Sequence, residues 1–165
     1  QDESARVLRV RALFEMRLEY AMKWGDVYAT SPRLEGVAVL LPMPEAEPSA
    51  DRLFRATSVS RCVRVGLKNL AILATYEQYA RRLRSRHAPE RYMYLSPMAV
   101  RADCRGRGLG GALLEEAQRR SGDRGAVVLE TQSERNAEFY GKRGFEVIAK
   151  GRLPGSGVGH WLMRG

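Results

Sequence analysis

The stretch from Tyr94 to Gly111, YLSPMAVRADCRGRGLGG, most constrains what this chain can fold into. An apolar, strand-like run ends at Val100, and a short polar turn leads into a basic, glycine-rich segment. That segment opens directly into the amphipathic pattern ALLEEAQRR. A strand that hands a glycine-rich turn to a helix start is an anion site. Glycines lack the Cβ atoms that would hold an oligophosphate away from the backbone, first-turn N–H groups have no helical acceptors, and the helix dipole adds partial positive charge. The dinucleotide fingerprint asks for G-x-G-x-x-G with an acidic residue roughly 20 positions on, and the nucleotide P-loop asks for G-x-x-x-x-G-K-[ST]. We read Arg105-Gly106-Arg107-Gly108-Leu109-Gly110 instead as R-x-x-G-x-G.

A chain of 165 residues, 44% of them hydrophobic, is long enough for one ordinary core, so a single domain over 1–165 is expected. No run approaches the roughly 18 apolar residues of a membrane span, and the charged N-terminus QDESARVLRV is no secretory signal, which makes a cytoplasmic location the expectation. Cys62 and Cys104 are the only cysteines and show no C-x-x-C spacing, and the two histidines are scattered. Reduced thiols and no metal site are therefore expected. The 28 basic residues outweigh 19 acidic ones, for a formal charge of +9. This excess attracts any polyanion and does not by itself choose between nucleic acid and a phosphorylated small molecule.

Apolar residues spaced three and four apart from Val7 to Lys23 predict an amphipathic helix ending near Gly25. Asp26 to Thr30 and Gly36 to Leu41 read as a hairpin around Ser31-Pro32-Arg33-Leu34-Glu35. Three prolines in PMPEAEPSA mark a loop that could cover a substrate mouth, Asp51 to Arg55 could start a short helix, and Gly66 to Arg84 continues at helical spacing. The run Arg81-Arg82-Leu83-Arg84-Ser85-Arg86 reads as a solvated helix end whose cations suit the dipole. Arg91 to Val100 is a strand in which Pro97 implies an edge or a bulge. Ala126 to Thr131 is a strand, Ser133 caps a helix from Glu134 to Arg143, Gly144 stops it, and Phe145 to Lys150 and Val158 to Met163 are the last strands. Alternating strands and helices followed by a hairpin-like pair imply an α/β fold, a mixed sheet with a parallel centre.

Two motifs together carry a family resemblance. The R-x-x-G-x-G segment is similar to the [QR]-x-x-G-x-[GA] pyrophosphate loop of the GCN5-related N-acetyltransferases (GNAT), and Leu95 to Val100 resembles the strand before it. Downstream, LETQSERNAEFYGKRGFEV, from Leu129 to Val147, resembles the superfamily's final strand, helix and strand, with Asn136, Phe139, Tyr140, Gly144 and Phe145 in their expected order. The resemblance runs from about Ala12 to the end and is closest to the branch containing puromycin N-acetyltransferase. It implies the GNAT fold, with two parallel central strands splayed by a bulge at Pro97 and helices on both faces. Chains of that branch begin with a further strand and helix. The resemblance therefore implies an absent first strand and helix here, an N-terminally truncated domain and an open sheet edge.

The same resemblance implies an acetyl-CoA-dependent N-acetyltransferase acting by direct attack of a primary amine in a ternary complex. Backbone amides of Arg105, Gly106, Arg107, Gly108, Leu109 and Gly110 would hold the pyrophosphate, with Arg105 and Arg107 adding charge. Main-chain groups of Met98 and Val100 would pair with pantetheine, and an N–H near Met98 or Ala99 would donate to the thioester oxygen. Asn136 would bond the pantetheine arm, and Tyr140, four residues on and hence on the same helix face, would protonate the departing sulfur. Glu130 is the candidate base, read equally well as a strand-end carboxylate paired with an arginine; His160 and His87 are alternatives. A small-molecule amine is the expected acceptor, on a monomer or homodimer. A peptide amine held by the acidic loop Glu45 to Glu47 is the first rival. A basic nucleic-acid-binding module is the second, without a recognisable reader motif to support it.

Overall fold

A computed structural model of the chain describes residues 3–47, 52 and 63–165. Helix α1, Glu3–Trp24, contains neither glycine nor proline and carries Glu3 in its first turn and Lys23 in its last, charges that suit the helix dipole. Its apolar stripe is not the buried face the periodicity predicts. Ala12, Tyr20 and Ala21 are buried, whereas Val7, Val10, Phe14 and Met22 are exposed. Tyr20 and Ala21, in the C-terminal half, pack with strand residues such as Val39 and Leu41, and exposure of apolar residues is concentrated toward the N-terminal half.

Strands β1, Asp26–Ala29, and β2, Gly36–Pro42, form the expected antiparallel hairpin, with β1 at the sheet edge. Its turn is closed by the Thr30 N–H donating to the Gly36 carbonyl at 2.9 Å. Helix α2 spans Leu67–His87. Apart from Arg52, the helix start expected at Asp51 to Arg55 lies outside the described residues, as does Cys62; Cys104 is a buried free thiol. Strand β3, Tyr92–Val100, leads through a 3-10 turn at Ala102–Cys104 to helix α3, Leu109–Ser121. Then come β4, Ala126–Thr131, helix α4, Glu134–Gly141, β5, Glu146–Arg152, and β6, Gly159–Arg164.

The six strands lie in the order β1-β2-β3-β4-β6-β5. The β3–β4 pair is parallel and the other neighbours are antiparallel, so the sheet is mixed with a parallel centre. Strand alternation sends residues to two cores. On one face Leu40, Met93, Leu95, Val127 and Leu129 meet Leu113, Leu114 and Ala117 of α3 and Ala137 of α4. On the other, Val39, Leu41, Tyr92, Tyr94, Val128 and Leu162 meet Tyr20 and Ala21 of α1, with Leu83 of α2 alongside. Among the described residues, no helix is long and apolar enough to cross a membrane.

The site is positioned by the way β3 leaves β4. Their pairing runs from Tyr92 with Ala126 to Leu95 with Leu129 and goes no further. Beyond it, β3 stays with β2 as far as Val100, while β4 stays with β6 through Thr131. Between the pairs Ala38–Met98 and Leu40–Leu95, β2 advances two residues and β3 three, so one extra residue sits on β3 at Ser96-Pro97. Such a bulge bends its strand, and here it opens a V between the two parallel strands.

Candidate functional site

The glycine-rich loop closes one side of the V. Gly106 and Gly108 have φ of 76° and 81°, in the left-handed region, and a Cβ on either would meet nothing within 4 Å among the described residues. The conformation, rather than crowding, calls for glycine here, and the space above the backbone stays open. The first hydrogen bond at the α3 N-terminus runs from the Ala112 N–H to the Gly108 carbonyl at 3.1 Å, and among the described residues no side chain caps that end. The N–H groups of Leu109, Gly110 and Gly111 thus precede the intrahelical ladder and point out of an uncapped helix start. Arg105 and Arg107 are exposed beside them. Gly110 has a different role: a Cβ there would lie 3.1 Å from the Phe139 ring, so its absence lets α3 and α4 pack closely.

Main-chain direction along β3 follows from one bond. The Arg101 N–H donates to the Glu35 carbonyl at 2.8 Å, toward the β2 side. Because peptide groups alternate along a strand, Ala99 also faces β2, whereas the main-chain groups of Met98 and Val100 face the V. The side chains of Met98 and Val100 pack on the core under α3, and Ala99 is exposed.

Across the V stands α4. Ser133 caps it as expected, accepting from the Asn136 N–H at 3.3 Å, and Gly144, at φ 84°, follows its end. The Asn136 residue is exposed. Tyr140 packs between the rings of Phe139 and Phe145, at centroid distances of 5.4 and 5.9 Å. This apolar surrounding pushes its phenol up from the ordinary value, so the hydroxyl keeps its proton at neutral pH.

Glu130, on β4, faces the opposite core. Arg84 of α2 donates to its Oε1 at 2.7 Å, and the hydroxyls of Tyr76 and Tyr94 donate to its Oε2 at 3.2 and 3.1 Å. His160 Nε2 stands 3.7 Å from the same oxygen. Both Arg84 and Glu130 side chains are 2% exposed. Glu130 thus makes the arginine pairing that the alternative reading of this carboxylate expects. Arg84 is not a solvated helix-end cation as the arginine run suggests. It is a buried charge shared with Glu47 at 3.6 Å and Glu77 at 4.0 Å. Gln132 Nε2 donates to the Tyr76 hydroxyl and lies equally near His160 Nδ1, at 3.1 Å each. Burial lowers the His160 pKa, holding the ring neutral.

Two cavities flank this network on the α1/α2 face. One, of about 570 Å³, lies between α2 and the β5–β6 loop, where Leu13, Ile72, Leu73 and Tyr76 meet Leu153 and Pro154. A smaller one of about 130 Å³ reaches Tyr94, Ser96 and the Arg17–Glu77 ion pair, whose atoms are 2.6 Å apart. The acidic loop is engaged within the chain: Glu45 pairs with Arg52 at 3.3 Å, and Glu47 with Arg81 at 2.8 Å. His87 ends α2. Sequence reasoning did not single out Tyr76, Arg84 or Tyr94, which reach one carboxylate from two turns of α2 and from β3, or Gln132, just past β4, which bonds the Tyr76 hydroxyl. A tyrosine eight residues before an arginine on one helix was the available signal, and it is a weak one.

Comparison with known proteins agrees with this geometry. The model of the acetyltransferase (GNAT) domain matches residues 68–147, from α2 through the glycine loop and α4 into β5. A crystal structure of histone acetyltransferase HPA2 and related acetyltransferase from Corynebacterium glutamicum is similar at a TM-score of 0.62 and 25% identity, covering 99% of this chain and 76% of that one. A GNAT-family protein from Desulfovibrio desulfuricans gives a TM-score of 0.54 at 16% identity, covering 99% and 92%. The aminoglycoside N(6')-acetyltransferase from Legionella pneumophila gives 0.53 at 15%, covering 94% and 72%. No curated protein matches the chain. The fold is the GNAT fold.

Proposed function

We propose, from the premise that this chain carries a GNAT acetyltransferase domain and is an acetyl-CoA-dependent N-acetyltransferase, that it acetylates a primary amine of a small molecule by direct attack in a ternary complex. The observation that carries this is the loop: an uncapped helix start and two left-handed glycines with open space above them, set at the mouth of a V between parallel strands. Such a surface suits a diphosphate, and the exposed Arg105 and Arg107 add charge to it. Met98 and Val100 direct main-chain groups into the V beyond the end of the β3–β4 ladder, where an extended amide-bearing arm would pair with them as an additional strand would. Asn136, exposed at the start of α4, is placed to bond the same arm.

Acetyl-CoA supplies an activated acyl group as a thioester; the residues supply position and protons. A main-chain N–H near Met98 would steady the negative charge that grows on the carbonyl oxygen as the amine attacks. Tyr140, kept protonated by its apolar neighbours, would give its proton to the sulfur as the carbon–sulfur bond breaks. The amine's own proton would pass toward Glu130, whose carboxylate faces the α1/α2 side. In this reading the acyl donor is held from the α3/α4 face, the acceptor comes from the other, and the V joins them.

A small acceptor is favoured over a basic peptide because Glu45 and Glu47, the loop carboxylates that would recognise such a peptide, are paired with Arg52, Arg81 and Arg84. We also place the chain in the puromycin N-acetyltransferase-like branch, on the two motifs quoted above. Acetylation of aminonucleoside, aminoglycoside and peptide panels tests both points. Transfer to a small amine is expected; transfer confined to peptides would overturn the acceptor class.

A further inference from the structure

In the acetyl-transfer reading above the amine's proton goes to the Glu130 carboxylate, yet that side chain is 2% exposed and lines neither cavity. An acceptor amine cannot reach it without an intermediary. Tyr76 is the member that bridges the two environments: it lines the 570 Å³ cavity, and its hydroxyl donates to Glu130 Oε2. Gln132 fixes that direction. Its Nε2 donates to the Tyr76 oxygen, so the phenol proton must point at the carboxylate, and the oxygen retains acceptor capacity toward the cavity. The edge of the His160 ring, 5.9 Å away between centroids, holds the phenol ring in place.

We propose that Tyr76 is a catalytic residue that carries the proton of the acceptor amine from the large cavity to Glu130. The step rests on the acetyl-transfer reading above. An acceptor that arrives as an ammonium has no lone pair to attack with, so one of its N–H bonds breaks first, leaving the electron pair on nitrogen, and an O–H bond forms at Tyr76 Oη; the second proton, lost on amide formation, is matched by the one the sulfur takes. In the same motion the original Tyr76 O–H bond breaks and that proton joins Glu130 Oε2. The phenol ends as it began, and after product leaves Glu130 returns its proton by the reverse route. A lasting tyrosinate is not involved, which agrees with burial and the nearby Glu130 and Glu77 raising the Tyr76 pKa against a weaker opposing influence of Arg17. Arg84 does not block the transfer: it binds the other oxygen, Oε1, and its charge is shared with Glu47 and Glu77.

Tyr94 donates to the same oxygen from the smaller cavity, and the two phenols can be told apart. Tyr76→Phe and Tyr94→Phe keep their rings and each removes one hydroxyl. The test measures acetylation of amines of graded basicity at fixed pH. For amines protonated at that pH, Tyr76→Phe is expected to lower kcat/KM by roughly a hundredfold or more, as loss of general acid–base catalysis does. For amines already neutral it is expected to change little, with the KM for acetyl-CoA unaltered throughout. Tyr94→Phe is expected to act equally on all acceptors. Gln132→Leu, which leaves every phenol in place, is expected to give a smaller loss with the Tyr76→Phe dependence on basicity. A Tyr76→Phe loss independent of acceptor basicity, or a dependence that appears with Tyr94→Phe instead, overturns the proposal. A wild-type protein that acetylates no amine overturns the underlying reading and the proposal together.

Discussion

Tyr140 and His160 have opposite relations to burial, and each makes a measurable prediction. Burial favours the neutral form of both, which for a phenol means keeping its proton and for an imidazole means losing one. An acid that must be protonated to act is lost only above its pKa, so the basic limb contributed by Tyr140 should lie above the ordinary phenol value. Tyr140→Phe should lower turnover by about a hundredfold, within the span of general acid catalysis, and leave acetyl-CoA affinity nearly intact. Unchanged turnover would remove Tyr140 from the acid role. For His160 the folded pKa lies below that of the unfolded chain, with desolvation the main cause, Glu130 opposing it and Arg84 adding to it. Below about pH 6.5 the unfolded chain therefore binds the proton more readily, and stability falls as pH drops through that value. Melting curves from about pH 7.5 to 5.5 should show a Tm decline that is shallower in His160→Gln; parallel declines would contradict this.

The elements were legible where local chemistry fixes them. The loop between β3 and α3 is one: Arg105→Ala combined with Arg107→Ala should weaken acetyl-CoA binding about tenfold while leaving the melting temperature unchanged, because both side chains are exposed. Unaltered calorimetric affinity would contradict the loop assignment. Ser133 as cap, Gly144 beyond the helix and Pro97 at the bulge were likewise readable, because each follows from the backbone requirement of a single residue. The glycine letters alone were less decisive. Gly106 to Gly111 also spells G-x-G-x-x-G, and the mixed sheet and the α4 motif separate the two readings. What the sequence hid is long-range. The periodicity of α1 does not reveal that Val7, Val10, Phe14 and Met22 stay exposed, since period reports a face and not its partner. Nor does an arginine run show that Arg84 turns inward while Arg81 and Arg82 stay exposed; that depends on Glu130, 46 residues away.

At the scale of the whole molecule the sheet is a partition, with a candidate diphosphate loop on its α3/α4 face, a buried carboxylate network on its α1/α2 face and the V between them. The formal charge of +9 lies over this arrangement. Attraction of a polyanionic ligand to such a surface is screened over about 8 Å at physiological ionic strength. Acetyl-CoA affinity should accordingly fall as salt is raised, and more steeply in the wild type than in the Arg105→Ala, Arg107→Ala protein; equal slopes would mean these arginines do not meet the phosphates. The central claim is most directly tested by a crystal structure of the acetyl-CoA complex. The diphosphate should accept from main-chain N–H groups between Gly106 and Gly111, with the sulfur beside the Tyr140 hydroxyl. An empty loop, or a sulfur beyond reach of that hydroxyl, would contradict the account.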